Sequence, residues 1–421
     1  MIILREPRSI SSRSNMELTQ YELDKMAVRN FREYLRIPSV HPDVNYDECV
    51  AFLRRQAMEL DLPIQIFELA AGKPIVIITW LGEEPGLPSI LLNSHMDVVP
   101  VYDEHWTYPP FGAEQDEQGN IYGRGAQDTK GAGIQYLETV RRLKADGIRV
   151  RRTIHISYMP DEEIGGEDGM KKFVLSQKFR DLNIGFAFDE GLAHPENVIQ
   201  VIYGERSVWQ ITFHCYGKTG SLATPLNDTA GQKVRVILDR AMEFRQAQKE
   251  KLESDPSLRA GDVTSLNLTM MEGGASSLGN VPEQLSVTFD IRLAVTEDHE
   301  KMLAKLQSWC EEVGPETYYT FRQKDPHFQP TRIDNSNPWW LVFKAECNNS
   351  GLNIQPIINP PAGDSRHLRM VGVPSLGFAP MCNTPVRMHD HNEFLNEKVF
   401  LRGIRIYCRL LTAMANLAPS Y

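Results

Sequence analysis

Apolar positions recur with a helical period from Glu22 onward and again between Tyr46 and Leu60, the spacing of residues that share one helix face. A β-rich run at 74–81 (PIVIITWL) follows, then SILLN at 89–93, a short apolar run ending in polar residues that reads as a buried strand. Ile134, Leu137, Val140 and Leu143 mark one face of a helix across 131–145, with Gly147 placed to end it. Strand-like runs return at 153–159 and 184–188. Strands alternating with helices predict an α/β layered sheet.

The middle of the chain has a different rhythm. Residues 208–216 read as a strand, Asp228 as the cap of a helix reaching about 252, and 265–271 and 284–293 as two further strands. A second helix covers about 297–313 and a strand at 317–322 closes the set. The order β-α-β-β-α-β is the split βαβ, ferredoxin-like pattern. It predicts an α+β domain at 204–325 inserted into an α/β domain made of 16–203 and 326–421, which resumes through 339–349 and ends in a helix starting near Glu397.

At 421 residues the chain has room for two or three domains of roughly 150 residues and a cleft between them. Apolar residues at 42% and charged residues at 24% are those of an ordinary globular protein. The net charge of −10, with no long basic run, argues against a nucleic-acid or anionic-membrane surface and favours a small-molecule partner. Six dispersed cysteines without a C-x-x-C pair read as free thiols of a reducing compartment. No stretch reaches 18 apolar residues and no secretory block opens the chain, so a cytoplasmic location is expected. Residues 1–15, with Arg5, Arg8, Arg13, four serines and the single acid Glu6, have some transit-segment composition, and Met16 offers an alternative start.

Five short motifs carry the candidate chemistry. In Ser94-His95-Met96-Asp97, at a strand end, residues i and i+2 share a face, so Asp97 can orient the His95 imidazole toward a metal. A hydrogen-bonded histidine beside a capping aspartate fits the same spacing. Gly123-Arg124-Gly125-Ala126-Gln127-Asp128 precedes a helix, which Asp128 could simply cap; the phosphate-loop spacing is missing, so no nucleotide is implied. Asp161-Glu162-Glu163 follows an apolar strand, and adjacent buried carboxylates need cations or raised pKa values. One Glu can then ligate a metal while its neighbour serves as general base, although a solvated acidic turn has the same composition. Asp189-Glu190 and His389-Asp390-His391-Asn392-Glu393 complete the series, and either histidine fits a structural role as well.

Taken together, acids and imidazoles follow successive strands or turns, where open α/β sheets bind ligands. A nitrogen and oxygen donor set without thiolates suits zinc or another hydrolytic divalent ion. Two divalent ions would balance Asp128, Glu163, Glu190 and a bridging hydroxide, leaving Glu162 as a base.

The runs LLNSHMDVVP, HWTYPPF, IYGRGAQDTKG, PDEEIGG, DEGLA, NPWW and TPVRMHDHNE closely resemble the aminoacylases. These are N-acyl-L-amino-acid amidohydrolases of the di-zinc exopeptidase superfamily, with carboxypeptidase G and succinyl-diaminopimelate desuccinylase. The resemblance implies two Zn²⁺ ions, His95 and Glu190 on one, Glu163 and His389 on the other, and Asp128 bridging. It also implies that Asp97 orients His95, Glu162 is the general base, Arg366 binds the substrate carboxylate in the bidentate manner of a guanidinium, and Asn280 approaches the substrate from the lid. The inserted domain resembles the family's lid and dimerisation domain, which implies a homodimer. Read without the resemblance, Arg366 is a surface ion pair.

One departure stands out. Where the family carries a lid histidine that stabilises the oxyanion, this chain has Ser221, in Gly217-Lys218-Thr219-Gly220-Ser221. Losing one such donor costs roughly 10²- to 10³-fold in turnover. The expected activity is metal-dependent hydrolysis of N-acyl-L-amino acids. The alternatives are a di-metal protein that binds acyl-amino acids with little turnover, or a dipeptidase or carboxypeptidase of the same superfamily.

Overall fold

The computed structural model describes residues 19–275 and 279–418; the arginine- and serine-rich segment at 1–15 and the alternative start Met16 lie outside the described residues. An eight-stranded mixed sheet forms the larger layer. Its strands run in the order Ile64–Glu68, Pro74–Trp80, Ile154–Met159, Ser89–His95, Ile184–Asp189, Ser375–Phe378, Ile199–Glu205 and Ile354–Asn359. The four strands from Ile154–Met159 to Ser375–Phe378 are mutually parallel, so their carboxyl ends share one edge. Every residue of Ser89–His95 and Ile154–Met159 is buried, as the continuous apolar runs require of strands covered on both faces.

Helices Gln20–Leu35, Asp47–Glu59, Lys130–Ala145, Pro338–Asn349 and Glu397–Ala415 cover one face, where Phe31, Tyr34, Leu137, Phe188 and Tyr407 share a core. A smaller core around Met159, Met170, Phe173 and Leu368 covers the other. The first helix starts at a capping box, Thr19 accepting from the Glu22 amide while the Glu22 carboxylate accepts from the Thr19 amide.

Lys130–Ala145 departs from the one-faced helix that its apolar spacing predicts, because every residue from Lys130 to Leu143 is buried. Its charged side chains find bonded partners, several of them on other helices. Glu138 accepts from Asn30 (2.8 Å) and from Arg141 (3.1 Å), and Arg141 also donates to Gln56 (2.8 Å). A helix can be buried all round when each charge finds a bonded neighbour.

Ser207–Tyr216, Ser265–Gly273, Gln284–Leu293 and Thr317–Lys324 form a separate four-stranded antiparallel sheet, in which the first and third strands are central. Helices Ala230–Ser254 and His299–Val313 pack on one face around Trp209, Phe213, Phe289 and Trp309, a core of its own. The cap of the longer helix is Thr229 rather than the expected Asp228: Thr229 Oγ1 accepts from the Gln232 amide. Asp228 instead takes a left-handed φ of 61° and pairs with Lys233 at 3.1 Å.

All six cysteines are free, and no described helix is long and apolar enough to cross a membrane.

Candidate metal centre and cleft

Three of the parallel strands end at candidate residues. His95 closes one, Asp161-Glu162-Glu163 follows Ile154–Met159, and Glu190 follows Ile184–Asp189. The turn before helix Lys130–Ala145 and the loop before Phe394–Asn396 bring Asp128 and His389 to the same edge. His95 Nε2 lies 3.1 Å from Asp128 Oδ1, 3.2 Å from Glu190 Oε2 and 3.8 Å from Glu162 Oε2. His389 Nε2 lies 3.1 Å from Asp128 Oδ2 and 3.0 Å from Glu163 Oε2. Asp128 therefore turns one carboxylate oxygen to each imidazole.

Asp128 does not cap the helix, for Thr129 takes the capping position and makes no side-chain cap bond there. His389, with a φ of 60°, adopts the left-handed backbone that few non-glycine residues take.

His95 is 1% exposed, and its Nδ1 is 2.9 Å from the Asp97 main-chain oxygen. A carbonyl only accepts, so Nδ1 carries a proton and Nε2 faces the carboxylates. The expected contact between the Asp97 carboxylate and His95 is long, 3.6 Å, and the orienting bond comes from the Asp97 main chain. The carboxylate is drawn elsewhere: it takes a 2.8 Å hydrogen bond from His41 and accepts from the amides of Glu162 (3.3 Å) and Glu163 (3.0 Å). Asp97 thereby holds the loop that carries both glutamates. Burial opposes its charge, yet His41, His95 and the Glu163 amide keep it below the usual carboxylate range.

Burial opposes the charge of Asp128 too, yet bonds from His389 and His95 hold it well below the usual carboxylate range, whereas the glutamates are pushed the other way. Burial, with Glu190 close by, raises Glu162 well above its ordinary value, and burial lifts Glu190 to about 8. Burial opposes protonation of His95, yet bonds to Asp128 and Glu190 hold its pKa well above normal. Bonds to Asp128 and Glu163 raise His389 to about 10. These side chains fit a cation set between them. Donor atoms of His95, Glu162 and Glu190, and of His95, Asp128 and Glu163, lie within 4.8 Å of one another. Glu163 Oε1 is buried without a hydrogen-bond partner, and Glu190 Oε2 has only the His95 imidazole at 3.2 Å, an arrangement that a bound cation would relieve.

A cavity of about 670 Å³ opens over this edge. Asp128, Glu162, Glu163, Glu190 and His389 line it, as do apolar Ile164, Leu192, Ile202, Val208, Val386 and Met388. Arg366 reaches the same cavity and donates through Nη2 to the Gly165 carbonyl at 2.8 Å, so it is no surface ion pair. Gln210, Arg292 and Gln323 of the four-stranded sheet contribute to the wall. Asn280 is not brought to this cavity. It is exposed and forms an antiparallel bridge with Ser221, whose Oγ accepts from the Ala223 amide at 3.2 Å. His214 does not replace the missing lid imidazole here: both ring nitrogens are bonded, to Ser286 and Thr320, and the ring stacks on Tyr318.

Sequence reasoning missed several supporting side chains. His41 holds Asp97. Asn93 donates to Asp189 (2.9 Å) and Asp364 (3.3 Å) beneath the site, and Glu393 accepts four bonds from the turn that carries Asp128. Asn93 and Glu393 stood inside motifs already singled out; their partners lie too far along the chain for spacing to reveal them.

Nitrogen and oxygen donors without thiolates, gathered at strand ends beside a half-apolar cleft, are the side-chain chemistry of a metal-dependent hydrolase. The chain belongs to peptidase family M20/M25/M40, whose model matches residues 91–413. It is 47% identical over 397 residues to aminoacylase-1A of Rattus norvegicus, covering 94% of this chain and 97% of that protein. Aminoacylase-1 of Homo sapiens is 46% identical over 395 residues, with the same coverage of 94% and 97%. Among solved structures, an M20 family metallo-carboxypeptidase from Sulfolobus solfataricus superposes with a TM-score of 0.70 at 18% identity, covering 92% of this chain and 99% of its own. That likeness is one of fold.

Proposed function

We propose that this protein is a zinc-dependent hydrolase that cleaves the amide bond of N-acyl-L-amino acids to a carboxylate and a free amino acid. The observation that carries the reading is Asp128 presenting one oxygen to His95 and the other to His389, with Glu162 beside them. The identity of 46–47% to aminoacylases along nearly the whole chain supports the substrate class over a dipeptidase or carboxypeptidase.

In this reading His95 and Glu190 would hold one zinc ion and Glu163 and His389 the other, with Asp128 serving both. When bound, the two ions supply an acidified water and polarise the amide carbonyl. Glu162 takes the proton of the attacking water and returns it to the leaving nitrogen as the C–N bond breaks and the new C–O bond forms. Asp97 steadies the backbone of Glu162 and Glu163. Arg366, buried beside the cleft, clasps the free α-carboxylate by its guanidinium fork. The four-stranded unit, residues 204–325, acts as a lid and as the pairing surface of a homodimer, in keeping with its resemblance to the inserted domain of the aminoacylases.

The test is hydrolysis of N-acetyl amino acids by Glu162→Gln, with bound zinc measured in parallel. A fall in kcat of about 10²- to 10⁴-fold at unchanged zinc content is expected. Full activity in that variant removes the proposed base.

A further inference from the structure

The turn that carries Asp128 and the loop that carries His389 are laced together by buried side chains from both sides. Glu393 is 0% exposed. Its Oε1 accepts from the amides of Gln127 (2.7 Å) and Asp128 (3.2 Å), and its Oε2 from Arg124 Nη1 (2.8 Å) and the Gly125 amide (3.1 Å). All four donors belong to a single turn, and the Asp128 pairing joins residues 265 apart. Gln127 reaches back: its Nε2 donates to the carbonyls of Pro385 (3.0 Å) and Phe394 (2.9 Å), and its Oε1 accepts from the Arg387 amide (3.0 Å).

A buried carboxylate with four fixed donors is satisfied without any ion. Its special feature is position. One donor is the backbone amide of Asp128 itself, and Glu393 stands four residues beyond His389 on the same loop. The carboxylate therefore fixes the spacing between the two groups whose facing atoms, His389 Nε2 and Asp128 Oδ2, lie 3.1 Å apart. His95 and Glu190 hang instead on strand ends that the sheet holds in register.

We propose that Glu393 is a positioning residue that sets the cation site on the His389 side; the His95 and Glu190 side shares Asp128 with it but keeps its two strand-end ligands, and is disturbed less. This rests on the binuclear reading above. A glutamine at 393 keeps the volume but turns an NH₂ group toward one pair of donors, so two of the four bonds become donor-to-donor contacts. An aspartate keeps the charge and all acceptors on a chain one methylene shorter.

The experiment is calorimetric titration of Zn²⁺ into chelator-stripped wild type, Glu393→Gln and Glu393→Asp, with thermal unfolding as a check on the fold. Wild type is expected to take two ions. Glu393→Gln should keep one tight ion and bind the second about 10- to 100-fold more weakly, as loss of a group that supports a ligand typically does, with Glu393→Asp between the two. Two ions bound by Glu393→Gln at wild-type affinity would overturn the inference, as would equal weakening of both. A wild type that takes fewer than two ions overturns the binuclear reading instead. Should Glu393→Gln fail to fold, Gln127→Met cuts the lacing from the other side: selective loss of the second ion supports the proposal, and unchanged affinity refutes it.

Discussion

One methyl group at Gly363 separates the metal-ligating reading of Glu190 from a merely structural one. A Cβ at this position would lie 2.8 Å from Glu190 Oε1, with Glu190 Cδ at 3.8 Å and Glu162 Oε1 at 3.9 Å the next atoms. Ordinary contact begins near 3.4 Å, so in Gly363→Ala the Glu190 carboxylate withdraws by about 0.6 Å while Glu162 stays in place. Coordination distances tolerate about 0.2 Å, so that shift moves the oxygen out of range. Gly363 has no positive φ and no backbone atom stands among its three nearest neighbours, so the fold should be spared. The expected result is a fall of about 10- to 100-fold in kcat/KM at limiting zinc, with recovery as zinc is raised and a melting temperature within a few degrees of wild type. The assay is hydrolysis of an N-acetyl amino acid across a zinc series, beside thermal melts of the stripped protein. Wild-type kcat/KM at the lowest zinc concentration would refute the argument, because the displaced carboxylate would then hold no ion that limits the rate.

Two further perturbations address the frame beneath the site. Asn93, 1% exposed, donates to both Asp189 and Asp364 and accepts from Ser157 Oγ at 2.6 Å. Asn93→Leu leaves two buried acids short of a donor and should destabilise the protein by about 3 to 5 kcal/mol in denaturant unfolding; a loss below about 1 kcal/mol would contradict it. His155 is 6% exposed, and burial pushes its pKa down to about 4, against about 6.5 in the unfolded chain. Below pH 6.5 the unfolded state binds a proton that the folded state refuses, so this contribution is intact above 6.5 and drains away toward pH 4. Between pH 7.5 and 5 the loss is about 2 kcal/mol, and His155→Leu should flatten that part of the stability profile; an unchanged slope would show that the folded protein protonates His155 freely.

How much could be read along the chain follows from what each feature depends on. The buried strand at 89–95 and the ferredoxin-like order of the 207–324 unit depend on local periodicity, and both were visible. The site acids were visible because they stand where apolar runs stop. Edge strands such as Ile64–Glu68, with alternating and shallow burial, leave a weak pattern in the sequence. The burial of Lys130–Ala145 on every side could not be foreseen, since it depends on Asn30 and Gln56 arriving from other helices. The one-residue slip from Asp228 to Thr229 shows a similar limit, for both residues are good caps and backbone geometry chooses between them. Ser221 and Asn280 are a pair in space that motif matching named one at a time.

The supporting acids explain how such a site survives folding. Near four of the candidate residues in sequence stands a buried carboxylate held by donors from another segment: Asp97 near His95, Asp189 beside Glu190, Asp364 near Arg366 and Glu393 near His389. His41 donates to Asp97; Asn93 and Ser365 donate to Asp189; Asn93 also donates to Asp364; and Arg124 donates to Glu393. The frame is thus satisfied by fixed dipoles and hydrogen bonds, whereas Asp128, Glu162, Glu163 and Glu190 face one another and the cleft with only two imidazoles among them. Without bound cations, the floor of the cleft gives an anion little attraction, because burial raises Glu162 and Glu190 and the two imidazoles offset Asp128. An N-acyl amino acid is an anion, and under the proposed reading two divalent ions make the floor attractive to it, adding to Arg366 and Arg292 at the wall. Cation loading and substrate binding are then coupled through charge alone, each favouring the other by the same factor.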